Sequence, residues 1–172
     1  MSETATVVDW RPDLDAHAEA IVGAVFAEYG FGFYPDDYDS DLRTIELSYI
    51  QPGGMFWFLI VGDEVAGTVA VKRLSQQECE LKRLYLLSEH RGCGLGGRLL
   101  DEAVAWAKQR GYRSMIAWSD TRFEDAHHVY QSRGFQQIGI RPEPGPDPAE
   151  EYGFRLQLGD WNDSRETMGE LE

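Results

Sequence analysis

The residues best placed to do chemistry are Arg91-Gly92-Cys93-Gly94-Leu95-Gly96, where three glycines in five positions lie between a strand pattern and a helical one. Glycines let a backbone turn tightly and approach a ligand with no Cβ in the way. A helix opening at such a turn points its unpaired amides, and the positive end of its dipole, at whatever sits there. The natural guest is a phosphate or pyrophosphate, and Arg91 and Arg98 can add charge-assisted bonds to it. Spacing then separates the nucleotides. A P-loop requires Gly-x-x-x-x-Gly-Lys-Ser/Thr, whereas Gly96 is followed by Gly97-Arg98-Leu99. A dinucleotide fingerprint is met only loosely by Gly92–Gly97, and no acidic residue ends a following strand about twenty positions on.

Other reactive side chains are fewer. Cys93 lies inside the turn, where a positive setting lowers a thiol pKa, but nothing supplies it with a base and an orienting partner. His127 and His128 titrate near neutral pH, and on a helix starting near Glu124 they point about 100° apart, so at most one faces a bound ligand. Two cysteines and four histidines show no metal-ligand spacing, and no metal is expected.

The elements that must position the turn follow from periodicity. Strands are expected over 4–10, 55–61, 65–74, 78–87, 114–119, 135–140 and 152–158. Helices are expected from Asp13 or Asp15 to Tyr29, from Leu95 to Arg110 and from Glu124 to Arg133, with a weaker one over 37–49. On the strand before the turn, Glu78, Glu80, Lys82 and Leu84 share one face, with Leu81, Arg83 and Tyr85 on the other. Gly62-Asp63-Glu64 makes a tight hairpin. Arg141–Glu151 carries four of the seven prolines and reads as an irregular loop. The unit strand 78–87, helix 95–110, strand 114–119 forms a right-handed parallel crossover flanked by antiparallel hairpins. The expected fold is α/β (α+β), a mixed, mostly antiparallel seven-stranded sheet flanked by helices.

At 172 residues with 42% apolar composition, the chain suits one domain, with a core over about 4–159 and an acidic, loose tail over 160–172. The longest apolar run, Met55–Val61, is too short to span a bilayer, and the N-terminus lacks the pattern of a signal peptide, so a cytoplasmic location is expected. A net charge of −14 disfavours nucleic acid. The segment from Lys72 to Arg113 nonetheless holds nine Lys/Arg against five Asp/Glu, a local +4 around the turn that would admit an anionic ligand.

Arg91-x-x-Gly94-x-Gly96 resembles the acyl-CoA signature of the GNAT acetyltransferase superfamily, Gln/Arg-x-x-Gly-x-Gly/Ala. The stretch from Glu80-Leu81-Lys82-Arg83-Leu84-Tyr85-Leu86 to Leu99-Leu100 is similar to the same family, as is Ala126–Phe135, its helix followed by Gly-Phe. The resemblance implies a GNAT-like fold with two central parallel strands splayed apart. It also implies transfer of an acetyl group from acetyl-CoA to a primary amine of a small molecule, peptide or protein, by direct attack in a ternary complex. A non-catalytic acyl-CoA sensor on the same fold is the alternative, and a homodimer is compatible with either.

Carried onto this chain, the resemblance puts the cofactor between Leu84, Tyr85 and Leu86, which pair with its pantetheine arm, and the turn residues Arg91, Gly92, Cys93, Gly94, Leu95, Gly96, Gly97 and Arg98, which hold its pyrophosphate. Tyr130, four residues before Gly134, takes the position of the acid that protonates the departing thiolate. Glu80 takes the position of a base, needed because an amine of pKa ~10.4 is protonated at neutral pH. The acceptor should enter between the Phe31–Asp41 region and the Arg141–Glu151 loop, with Phe33, Tyr34 and Asp120 at its site. That rim is acidic and aromatic, which suits a cationic amine.

Overall fold

The computed structural model describes residues 3–159, and the stretch 160–172 that was expected to be loose lies outside them. The chain forms β1 (Ala5–Asp9), α1 (Asp15–Tyr29), β2 (Met55–Val61), β3 (Glu64–Arg73), β4 (Glu78–Leu86), α2 (Leu95–Gln109), β5 (Ser114–Asp120), α3 (Glu124–Ser132), β6 (Gln136–Pro142) and β7 (Glu150–Gln157). One seven-stranded sheet runs in the order β1-β2-β3-β4-β5-β7-β6. Every neighbouring pair is antiparallel except β4 and β5.

Alternation along the strands divides the core between two faces. On β2, Trp57, Leu59 and Val61 join Leu99, Leu100, Ala103 and Ala107 of α2. Phe56 and Phe58 point the other way, to Leu14, Ala18 and Val22 in and just before α1. Burying one large apolar side chain in this way is worth about 1.5–3 kcal/mol. Among the described residues, no helix is long and apolar enough to cross a membrane.

Three boundaries depart from the sequence expectation. The weak helix over 37–49 is instead two separate turns, a 3-10 turn at Ser40–Arg43 and a π-type turn at Glu46–Ile50. They bury Leu42, Ile45 and Tyr49 against the sheet, so packing rather than helix propensity shapes the segment. The proline-rich loop is also shorter than expected. Arg141 pairs with Glu151 and Pro142 with Glu150 in the β6–β7 ladder, and the Arg141 guanidinium donates to Glu151 at 3.0 Å.

The third departure lies in β4. Thr68 pairs with Tyr85 and Ala70 with Lys82, so an extra residue is accommodated between them. Arg83 absorbs it with φ of 55°, a left-handed conformation that is costly for a residue with a Cβ, and its carbonyl accepts from the Thr68 hydroxyl at 2.7 Å. This bulge reverses the alternation. Leu84 and Leu86 fall on the same face as Cys79 and Leu81, while Tyr85 turns to the α1 side against Phe26. Simple period-two reading therefore assigns Leu84 and Tyr85 to the wrong faces.

Candidate active site

The cavity begins where the two parallel strands stop pairing. β4 and β5 are in register only from Glu78 opposite Ser114 to Leu81 opposite Ala117. Beyond that, β4 runs on to Leu86 and β5 to Asp120 with no strand between them among the described residues. The gap opens into a cavity of about 710 Å³ lined by Leu81–Leu86 on one side, Trp118–Asp120 on the other, and the glycine turn at its end. Beyond Leu81 that edge of β4 has no strand beside it, so its backbone groups, apart from the Leu86 carbonyl bound by Arg91, are open to an extended ligand.

Gly92 and Gly94 have φ of 81° and 84°, which only glycine adopts without strain, and space beside both is open. Gly94 caps α2 with no side-chain bond to its first amides, so those amides stay available at the cavity's end. Arg91 lines the cavity, but its guanidinium is already engaged. Its guanidinium forks onto Glu28 of α1 at 2.6 and 3.0 Å and donates to the Leu86 carbonyl at 2.9 Å, clamping turn, strand and helix together. Arg98 donates to the Ala5 carbonyl of β1 at 2.6 Å. Neither Arg98 nor Cys93 lines the cavity, whereas Arg91, Gly92 and Gly94 to Gly97 do. The first amides of α2 and the positive end of its dipole are thus open at the turn, while both arginine side chains are engaged by protein groups.

Tyr130 lines the cavity from α3 and is buried. Gly134, with φ of 90°, ends that helix, and the Phe135 amide donates back to the Tyr130 carbonyl, fixing the tyrosine's backbone. Burial, with the Tyr85 phenol nearby, pushes the Tyr130 hydroxyl well above the ordinary tyrosine range, and Ser119 within hydrogen-bonding reach opposes this. The phenol is therefore protonated at neutral pH. Ser119 also meets His127 Nε2 at 3.0 Å, and burial lowers the pKa of that imidazole, so it stays neutral. His128, exposed on the neighbouring face of α3, is the histidine that lines the cavity.

Glu80 stands elsewhere. It lines an adjoining cavity of about 490 Å³ with Asp41, Tyr49 and Lys82, and its carboxylate lies 3.8 Å from the Lys82 ammonium. Phe33 likewise packs away from the main cavity, edge-on to Phe26. Tyr34 lines the main cavity and donates to Asp147 at 2.9 Å. Asp120 lines it too, held by Arg122 through Nε at 2.9 Å, Nη2 at 2.6 Å and the backbone amide at 2.9 Å. Arg122 in turn stacks 3.8 Å above the Phe31 ring.

Sequence reasoning gave no individual role to two parts of this region, although Glu143 falls within the acidic rim it placed at the acceptor's entry. One is Glu143, which lines both cavities beside Glu151 and Asp120. It sits among other acidic residues in a proline-rich stretch, and only the β6–β7 pairing brings it to β5. The other is the Arg83 cluster. The Arg83 guanidinium binds Asp39 at 3.0 Å and Asp41 at 2.6 and 3.0 Å, and Tyr49 donates to Asp41. This ties the Tyr34–Tyr49 segment to the bulge in β4. Outside both cavities, the fold brings Glu64, Glu89 and His90 together with their ligand atoms within 4.8 Å, a proximity no sequence spacing announced.

Comparison with known proteins accords with this geometry. Residues 21–135 match a family model described as the acetyltransferase (GNAT) family. The chain is 30% identical over 107 residues to N-acetyltransferase 8F1 of Rattus norvegicus, covering 59% of this chain and 48% of that protein. It thus spans about half the length of that relative. An acetyltransferase of the GNAT family from Staphylococcus aureus Mu50 superposes with a TM-score of 0.81 at 22% identity, covering 91% of this chain and all (100%) of that one. A putative acetyltransferase from Salmonella typhimurium, solved with its cofactor acetyl-CoA, superposes with a TM-score of 0.75 at 19% identity, covering 91% and 95%.

Proposed function

The chain belongs to the acetyltransferase (GNAT) family, and from that premise we propose that it transfers an acetyl group from acetyl-CoA to a primary amine by direct attack in a ternary complex. The observation that carries this reading is the parting of β4 and β5 after Leu81 and Ala117, with the glycine turn and Tyr130 along the resulting cavity. The residues present fit the donor. The first amides of α2, opened by Gly92 and Gly94, hold the pyrophosphate. The unpaired edge of β4 from Leu84 to Leu86 takes the extended pantetheine arm as a strand would be taken.

Acetyl-CoA supplies an activated carbonyl and a thiolate leaving group. A backbone amide of the Leu84–Leu86 segment polarises that carbonyl, and a fixed donor of this kind is worth roughly 3 kcal/mol of barrier. Tyr130 protonates the thiolate. The position of its hydroxyl on the cavity wall, protonated at neutral pH, supports that role, although its raised pKa makes the transfer uphill until the nitrogen's proton replaces the one given up. Tyr29, Phe31, Tyr85 and Phe123 contact one another in the cavity wall and exclude water from the reacting groups. Asp120, Asp147 and Glu151 make the acceptor side acidic, which supports a cationic amine as substrate.

Calorimetry with acetyl-CoA, CoA and ATP, followed by chromatographic detection of CoA release over a panel of primary amines, tests the reading. Binding of acetyl-CoA and CoA without ATP, and acetylation of an amine, are expected. Tight ATP binding with no CoA binding refutes it.

A further inference from the structure

We propose that Glu143 is the base of the transfer, taking a proton from the acceptor's ammonium group beside an Asp120 carboxylate that stays charged. This rests on the acetyl-transfer reading above. Glu143 is half-buried just beyond β6, and the Glu143 amide donates to the Ala149 carbonyl at 2.8 Å, which closes the loop before β7. The side chain reaches within hydrogen-bonding range of Asp120, at the end of β5 and so at the open end of the parted strands. It lines the same cavity as the glycine turn, Leu84–Leu86 and Tyr130.

Two carboxylates thus meet in unequal surroundings. Asp120 has the Arg122 fork and a backbone amide. Burial alone would raise it, but Arg122 outweighs that and holds it below the ordinary aspartate range. Among the described residues Glu143 forms no ion pair, because Arg122 is spent on Asp120 and Arg141 on Glu151. Burial, then the charges of Asp120 and Glu151, push Glu143 up to about 7 against the weaker pull of Arg122. A pair of carboxyl groups driven apart in this way divides the work into a fixed charge and a proton acceptor.

The remaining groups around it do not cancel this. Glu151 of β7 adds negative charge, and Asp147 in the loop adds more beside Arg122. On the β4 side, Lys82 lies nearest Glu80, and Arg83 is bound by Asp39 and Asp41. Tyr38, from the segment before β2, feels Glu143 and Glu151 as negative neighbours and stays protonated.

The protons balance. An acceptor ammonium carries three; Glu143 takes the first and passes it to solvent. As the new N–C bond forms and the C–S bond breaks, a second leaves the nitrogen and the thiolate gains one from Tyr130, which the nitrogen's proton restores. The third stays on the amide. Because Glu143 must be ionised to act, the rate rises with pH through its titration near neutrality.

The test uses the full chain, acetyl-CoA, and a panel of n-propylamine, putrescine, spermidine, Nα-acetyl-lysine and a tripeptide with a free α-amine, with products separated by chromatography. In Glu143→Gln, kcat should fall about 10²–10⁴-fold, the rising limb near pH 7 should vanish, and acetyl-CoA affinity by calorimetry should stay within twofold. Glu143→Asp should restore part of the rate together with a rising limb. A Gln variant with the native rate and pH profile overturns the proposal while leaving acetyl transfer standing. Native protein that binds acetyl-CoA and acetylates no amine in the panel overturns the transfer reading, and this one with it.

Discussion

Replacing Arg83 with methionine removes the single cation from a buried cluster while keeping much of its volume. The guanidinium makes three hydrogen bonds to two carboxylates, and Asp39 is only 1% exposed. Asp39 keeps the Tyr34 amide and Asp41 keeps the Tyr49 hydroxyl, but the two carboxylates, one buried and one half-buried, would lose the guanidinium that binds both and keep only the more distant Lys82 charge. Breaking one side of such a pair costs about 3–5 kcal/mol, a large share of the 5–15 kcal/mol that holds a domain together. The sign of its pH dependence follows. In the native protein burial would raise Asp41, but Arg83 outweighs it and holds the carboxyl below 3.8, so its stabilisation is present above that value and is lost as pH falls through it. In the variant, burial of Asp41 is opposed only by the Tyr49 hydroxyl and the Lys82 charge, so the penalty is largest at neutral pH and shrinks as that carboxyl takes up a proton. Urea unfolding at pH 7 and pH 4.5 measures both effects. A loss below ~1 kcal/mol at pH 7, or the same loss at both pH values, would refute the reasoning.

Three further outcomes are expected. Tyr130→Phe should lower kcat by about 10²-fold or more while acetyl-CoA affinity is unchanged, because the hydroxyl acts on the leaving group and the ring still packs against Phe135 and Phe154; native turnover in the variant removes the acid assignment. Gly94→Ala forces a Cβ into φ of 84° and should cost about 1–2 kcal/mol of stability in thermal unfolding, together with weaker acetyl-CoA binding by calorimetry. Glu80→Gln should keep kcat within about tenfold of native, its partner being Lys82 in the adjoining cavity; a loss matching that of Glu143→Gln would return the base role to Glu80.

Much of the fold was legible because its signals are local. The glycine turn lies between β4 and α2, and the strand alternation that assigns Trp57 and Phe58 to opposite faces is a period-two pattern any reader of the sequence sees. What escaped was set by pairing between distant segments. The bulge at Arg83 has no residue signature, since arginine does not favour a positive φ; the Thr68 bond and two distant aspartates hold it there. Arg91 and Arg98 looked like phosphate ligands because they flank a turn, and only the tertiary structure shows their charges engaged by Glu28 and by the Ala5 carbonyl. Glu143 was legible only as one charge of an acidic rim, for the same reason. Its partner Asp120 lies twenty-odd positions away and meets it only once β7 has been inserted between β5 and β6.

A sheet edge is ordinarily a hazard, because unpaired backbone groups accept any passing strand. This protein has such an edge in the middle of its sheet rather than at a rim. Beyond Leu81 the free edge of β4 faces β5 across a wedge that the Leu81–Ala117 pair closes at its narrow end. A narrow, flexible thread can enter that wedge end-on, whereas a second sheet cannot slide in beside it. Enclosure thus does for this edge what charges and prolines do on outer strands. It leaves the backbone reactive toward one shape of guest and protected against aggregation with its own kind.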